Sequence, residues 1–532
     1  MKQVIIYLES RPHIVLAICL VMILIAYFTN LGYYPIMADE PTRALVAMEM
    51  IFSGDYIVPT INGELYYNKP PFYNWILAAI FNLSGSYSEW AIRLPSIISL
   101  MIFGYTIFWV GKRYLSYTVG VMAGIMYVTC GRMLVYSGLL GHIDIFFSWM
   151  TFCGFVLIYY FYEKESYLWL FLLSYIITAL GFLSKGLPSL VFQGITLLTF
   201  FIYQGDWKRL FSWQHILGGL VALGIIGAYY SAYFSSNPDI EGYFYNLWNE
   251  SSKRTVLDKV WYESLIHPFT FPFEQVMHLL PWSLFVVFLF RKGIFKEFRA
   301  HPFLKFCLFI LAFNSIPYWL SPQTYPRYLF MLYPFVFIFL AYGYEHHRKD
   351  FPTYHRVLEN VFFGAGCLLA IGVWSALFID TVADVPFRVL KTISLFLGIA
   401  VSLYLFLKLP QQRFVLFALL MMFFRLGFDW FVLPHRYKED GWRPMKDFGI
   451  SIANQTQGSP LYIFSDLKWD HSTNYYLERG RKAIVSRTDS IYPNTYYIGA
   501  DRHLENRTYH VHDTLYNRQG EDLYLVTFNQ SK

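Results

Sequence analysis

An acidic pair, Asp39 and Glu40, precedes a single cation, Lys69, set in the stretch GELYYNKPPFYNW (63–75). A carboxylate can take up a proton or cap a helix, and a cation held still can meet an anion. Pro70 and Pro71 restrict the backbone and disfavour helix at Asn68 and Lys69, so the lysine is held at low entropic cost among Tyr66, Tyr67, Phe72, Tyr73 and Trp75. Asp39 also fits a purely structural role. In MADEPTRALVAMEMIFSGD it can N-cap a helix, with Pro41 in the first turn, an apolar stripe of Leu45, Met48 and Ile51 or Phe52, and Gly54 as the stop. Such a cap contributes about 1 kcal/mol and no chemistry, and such a helix would lie flat on the outer leaflet. Asp144 opens an apolar segment, where an ionisable group is costly unless it caps the helix or has a function. Arg425 and Asp429, one turn apart in the last apolar segment, read as a structural ion pair.

The elements that must position these groups are membrane helices. Of 532 residues, 56% are hydrophobic, 21% aromatic and only 15% charged, a composition that excludes an ordinary soluble protein. Apolar runs of spanning length recur about thirteen times, at 13–31, 90–110, 118–137, 142–162, 167–184, 187–204, 213–234, 275–291, 303–320, 327–344, 358–379, 389–408 and 413–433. The first lacks a small-residue cleavage site and reads as a span. Lys112 and Arg113, Lys208 and Arg209, Arg291 to Arg299, Arg348 and Lys349, and Lys408 with Arg413 fall in alternate short loops. The positive-inside tendency makes those loops and the N-terminus cytoplasmic and the C-terminus external. Topology therefore accounts for the net charge of +6, with no nucleic-acid partner needed. Cys19, Cys130, Cys153, Cys307 and Cys367 lie in or beside apolar runs without metal-ligand spacing and read as buried thiols.

Three longer polar segments, 32–89, 235–274 and 434–532, fall on the outer side, which places the work there. In the tail, LYIFSDL, AIVSRTD, TYYIGA and DLYLVTF read as short strands and STNYYLERG as a helix ending at Gly480. The fold class is thus an all-α polytopic membrane protein, residues 1–433, followed by a small soluble α/β domain outside the membrane, residues 434–532. No internal repeat appears.

The order ADEPTR, GDYIVPTINGELYYNKPPFYNW, EWAIRLPS resembles the first periplasmic loop of the GT-C polyprenyl-phosphate glycosyltransferases, the aminoarabinose (lipid A) transferase and protein O-mannosyltransferase group. That pattern is DE-x-x-R, then G-D-W/Y-x-x-P, then K-P-P. HIDIFFSW (142–149), FLSKGLPS (182–189), SSKRT (251–255) with HPF (267–269), LLPW (279–282) and SPQTYPRYLFMLYP (321–334) are similar to later family segments, so the resemblance covers roughly residues 12–335. It implies an inverting transferase that moves a sugar from polyprenyl (undecaprenyl) phosphate to lipid A, a protein or a glycan. Lys69, Arg254 and Arg327, with Lys185, would face the donor phosphate, where negative charge grows as the sugar leaves. Each also has a plainer reading: headgroup snorkelling for Lys69, surface pairing or topology for Arg254 and Arg327, a helix-end cation for Lys185. Asp39 would act as the base towards an acceptor hydroxyl, and Asp144 would orient it or the acceptor. Glu40, Arg43, Tyr67, Asn68, Glu250 and His267 are the remaining motif positions. Asn68 and Ser251 stand where the lipid A branch has the glutamate and histidine suited to a metal, so no cofactor is assigned, and a divalent metal, which stays open, would lack those two ligands. Aromatic and aliphatic side chains would line a groove for the isoprenoid tail. A transporter or flippase of a lipid-linked anion is the alternative, and it would want ionisable groups deep in broken spans and a pseudo-repeat.

Overall fold

The computed structural model describes residues 2–237, 239–243, 245–246, 261–321, 324–505, 507–515 and 522–528. The chain forms two compact units. The first comprises Met1–Leu31, Ser96–Gly227 and Asn249–His435, and the second Gly32–Pro95, Ala228–Trp248 and Arg436–Lys532.

The apolar runs of the sequence fall largely on helix. Among the described residues 9 helices are long and apolar enough to cross a membrane, or up to 11 if two sharply bent pairs each count as one. Pro188–Tyr203 has 16 residues and Tyr333–His347 has 15, short of a full hydrocarbon crossing. The 275–291 run is not one rod: Ile266–His278 and Trp282–Leu289 meet at 117°. Many spans are poorly covered by protein; only 22% of the apolar window of Trp213–Ser236 and 28% of that of Arg388–Lys408 is buried. Apolar surface on that scale needs hydrocarbon around it, and the chain is a multi-pass membrane protein. The five cysteines are free thiols, all buried or half-buried.

The second unit gathers the long first loop, residues 228–248 and the tail. Glu40–Ser53 is the helix read from the sequence, stopped by Gly54 at φ 76°. It does not lie on a membrane surface. Glu40, Pro41 and every residue from Arg43 to Met50 are buried, because the helix packs against Phe72–Ser84 on one side and His471–Arg481 on another. A hairpin, Thr60–Ile61 with Glu64–Leu65, follows; its two-residue turn is Asn62–Gly63 at φ 56° and 71°, the positive pair that a type I′ turn demands.

The tail sheet runs in the order Leu461–Ile463, Tyr496–Ala500, Leu523–Phe528, Tyr509–Leu515, the first pair parallel and the rest antiparallel. AIVSRTD makes only a single bridge, Arg487 to Ile463. The edge strand YHVHDTL was illegible because its polar residues hide the alternation; an edge needs pairing on one side only. The His471–Arg481 helix runs past Gly480 and stops at Lys482, φ 54°. Gly480 serves packing instead: a Cβ there would lie 2.6 Å from Ala453 Cβ, on the neighbouring Trp442–Gln455 helix.

Two fully buried carboxyls join loop and tail inside this unit. Glu49 accepts from Thr60 Oγ1 (2.7 Å) and from the N–H groups of Asn62 (2.5 Å) and Gly63 (3.2 Å), stapling the hairpin to its helix. Glu478 accepts from Asn474 Nδ2 (3.2 Å) and from the Val485 N–H (3.0 Å), and Asn62 Nδ2 reaches Asn474 Oδ1 (3.0 Å) and the Val485 carbonyl (2.9 Å). Burial raises both carboxyls above the usual glutamate range against the pull of these hydrogen bonds, and for Glu478 the nearby Glu49 charge adds repulsion. A raised native value means stability that is full below the ordinary glutamate pKa and is lost as pH rises through the native value, with a slope of up to about 1.4 kcal/mol per pH unit per proton. Glu478→Gln is therefore expected to flatten the alkaline fall in stability. Thermal unfolding of the purified full chain from about pH 6 to about pH 9 checks this, and parallel curves for the two proteins would refute it.

Candidate active site

In the first unit, three sequence candidates converge. Ile143–Glu163 begins after His142, so Asp144 occupies the first turn and not the cap. Tyr167–Lys185 ends on Lys185, where the helix dipole favours a cation, and Gly186 at φ 81° turns the chain into Pro188–Tyr203. Arg327 sits in the short turn Pro326–Leu329 ahead of Tyr333–His347. Asp144 Oδ1 accepts from Lys185 Nζ at 2.5 Å, and its Oδ2 lies 3.8 Å from Arg327 Nε. The Lys185 and Asp144 side chains are 6% and 4% exposed, that of Arg327 17%, so the trio is nearly dry but opens at the arginine. Tyr328 packs beneath both cations, its ring 4.7 Å from Lys185 Nζ and 5.7 Å from the Arg327 guanidinium. The carboxylate assigned to orienting Asp39 or the acceptor has as its partners the two cations assigned to the phosphate.

In the second unit, Asp39 is exposed and makes no capping bond to the helix it precedes. Ala38 just before it holds φ 57°, a left-handed backbone that a Cβ residue adopts at a cost of about 1–2 kcal/mol. Glu40 is not a solvent-facing candidate. It is wholly buried, paired with Arg93 through Oε1–Nε at 2.8 Å and Oε2–Nη2 at 3.1 Å, and it accepts from the Met37 N–H. Arg93 also donates to the Tyr34 and Pro35 carbonyls, which anchors the strand of chain leading into Asp39. Arg43 is 5% exposed, its guanidinium 5.7 Å from the Tyr66 ring. Tyr67 donates to Asp239 Oδ2 at 2.8 Å and meets the Tyr243 ring edge-on. Asn68 is exposed and Lys69 half-buried, in the turn before Phe72–Ser84.

Arg254 and Glu250 lie outside the described residues. His267, in the first unit, points its Nε2 to the Tyr318 carbonyl at 3.4 Å and packs on Phe271. An amide at Asn68 is a poor metal ligand, and among the described residues no three His, Cys, Asp or Glu side chains are grouped to hold a cation. An apolar cavity of about 460 Å³ opens in the first unit where Leu20 and Leu24 face Met101, Phe108 and Val121, a lining that suits hydrocarbon.

Sequence reading missed the ion pairs that shape the second unit. Glu89 takes Lys446 Nζ at 2.6 Å, Arg479 Nη1 at 3.0 Å and the Tyr476 hydroxyl at 3.0 Å. The partners of Glu89 are hundreds of positions away in the chain, and only the oddity of a glutamate opening an apolar run signalled them.

A family model for dolichyl-phosphate-mannose-protein mannosyltransferases matches residues 68–230. The undecaprenyl phosphate-α-4-amino-4-deoxy-L-arabinose arabinosyl transferase of Edwardsiella ictaluri is 28% identical over 310 residues, 55% of this chain and 54% of that relative, so the match spans about half of its length. The enzyme of the same name from Aeromonas hydrophila is 23% identical over 470 residues, 83% of this chain and 82% of its own. ArnT from Cupriavidus metallidurans, solved bound to undecaprenyl phosphate, superposes with a TM-score of 0.69 at 17% identity, over 97% of this chain and 98% of that one. At that identity the likeness is one of fold. The loop motifs stand in order and the fold is shared end to end, so the chain is similar to the aminoarabinose transferase and protein mannosyltransferase group of the GT-C family.

Proposed function

We propose that the protein moves a sugar from a polyprenyl phosphate, undecaprenyl phosphate in a bacterium, to an acceptor in the cell envelope: lipid A, a protein or a glycan. The observation that carries this reading is the Asp144, Lys185 and Arg327 trio, in which one carboxylate holds two cations together in a nearly dry setting. In the reaction an acceptor oxygen attacks the anomeric carbon, the bond from that carbon to the phosphate oxygen breaks, and its electron pair stays on the phosphate, which becomes a monoester of greater charge. Cations already in place stabilise that developing charge without reorganising. The resemblance gives Lys69 and Arg254 a phosphate-facing role as well. Asp39, exposed just ahead of the Glu40–Ser53 helix, takes the proton of an acceptor hydroxyl; for a phosphate acceptor, already ionised, it positions the group instead. A single displacement inverts the sugar. Asp144 serves by holding Lys185 and Arg327 at a fixed spacing. The work is assigned to the outer face of the inner membrane, with the N-terminus cytoplasmic and residues 434–532 periplasmic, on the support of the cations in alternate loops. A flippase has less support, since the named relatives are transferases.

Mass spectrometry of lipid A and envelope glycoproteins from a deletion strain identifies the product, and unchanged profiles in every fraction would overturn the reading. Lys69→Ala is expected to cut transfer by about 100-fold or more, with the membrane level and thermal midpoint of the protein unchanged; an active Lys69→Ala enzyme removes the phosphate role. Asp144→Asn leaves two buried cations without their carboxylate and is expected to cost about 3–5 kcal/mol of stability as well as activity. Asp144→Asn/Lys185→Met should regain the thermal midpoint and not the activity, a split visible by measuring both on the same preparation.

A further inference from the structure

The Arg425–Asp429 pair lies at the end of the last apolar segment, where Arg413–Gly427 gives way to a widened turn, Phe428–Val432. Both side chains are wholly buried, with Nε 2.8 Å from Oδ2. A buried ion pair is weak evidence for stability, because apolar residues of similar volume serve as well or better. What an apolar pair cannot do is what the rest of the guanidinium does. Arg425 Nη1 donates to the Leu134 carbonyl and Nη2 to the Gly138 carbonyl at 3.3 Å. Those two carbonyls belong to the broken link between spans, the short helix Gly131–Val135 and the turn Ser137–Leu139, whose ends leave acceptors unpaired.

That link is held on several sides. The Gly131 N–H donates to the Leu280 carbonyl at 2.7 Å, and Gly138 lies so close to Tyr27 that a Cβ would fall 2.4 Å from its ring. Tyr27 stacks under the guanidinium at 5.0 Å and donates to the Val128 carbonyl at 2.5 Å; Asn30 Nδ2 ties the Asp429 carbonyl at 2.6 Å. At its far end Ser96 Oγ donates to the His142 carbonyl at 2.8 Å, and the next turn carries Asp144. Between the Ser96 contact and the Gly131 contact, Arg425 gives the backbone of the link two side-chain hydrogen bonds.

We propose that Arg425 is a positioning residue for sugar transfer, which pins the Leu134–Gly138 link and thereby sets Asp144 between Lys185 and Arg327. The proposal rests on the role given to Asp144 above. Arg425→Met/Asp429→Leu keeps the volume and removes both charges, so the thermal midpoint in detergent should stay near that of the natural protein. Transfer is read with polyprenyl-phosphate sugar extracted from the deletion strain as donor. The double variant should lose roughly 10- to 100-fold in kcat with KM for that donor unchanged. Arg425→Lys retains the charge but not the two-pronged reach, and should fold normally with kcat lowered several-fold, which keeps the test decisive if the double variant fails to fold. Residues acting through one another are not additive, so in an Asp144→Asn background either change should cost nothing further. Natural kcat in the folded double variant, or in Arg425→Lys, overturns the proposal, and so does full additivity with Asp144→Asn. Full activity of Asp144→Asn itself would instead remove the reading of the site on which the proposal stands.

Discussion

The arrangement turns on one carboxylate. Lys185 and Arg327 come from a helix end and a turn far apart in sequence, and two cations at a hydrophobic boundary repel unless a negative charge sits between them. Asp144 supplies it, and the local backbone follows from that need. Gly186 lets the chain leave immediately after Lys185, Pro326 starts the turn that carries Arg327, and the link before His142 brings Asp144 to the meeting point. Within the trio two cations face one carboxylate, so its formal charge favours an anion at the exposed arginine side.

The second unit handles charge by two different rules. Glu40 and Glu89 are buried against cations, Arg93 for the first and Lys446 with Arg479 for the second, and these pairs pin the first loop at both ends. Glu49 and Glu478 are buried against hydrogen-bond donors and each other. A chain with only 15% charged residues spends several of them on holding one loop still. That makes sense if the loop's candidate residues, Asp39 and Lys69 among them, must not wander.

Much of this was legible in the sequence, and the failures have physical causes. Apolar runs marked every membrane helix, since hydrocarbon demands them. Run length did not mark which helices are short or bent, because breaks such as Cys130 and the 117° bend interrupt the helix without interrupting the apolar run. The Glu40–Ser53 helix was readable from its proline and glycine, but its stripe was ascribed to a membrane surface when the covering partner, His471–Arg481, lies some four hundred positions on. Asp144, Lys185 and Arg327 were each readable as odd ionisable groups at the ends of apolar runs. Their convergence was not, because a sequence shows spacing along the chain and the trio is a spacing in space. Glu40 misled for the complementary reason: an acidic residue beside Asp39 looks like chemistry until its partner Arg93 is seen.

Backbone stiffness links these observations to catalysis. Around Lys69 two prolines limit the chain, and beside Asp39 an alanine sits in a left-handed conformation that its neighbours must hold in place. Arg93 supplies part of that hold through the Tyr34 and Pro35 carbonyls. A group that must meet charge as it develops gains most when it need not move to do so, because reorganisation in the transition state would subtract from the stabilisation. Prolines, a strained alanine, buried ion pairs and a pinned link between spans are different local devices with the same effect, and they occur at or beside the residues to which the proposed function gives fixed charge.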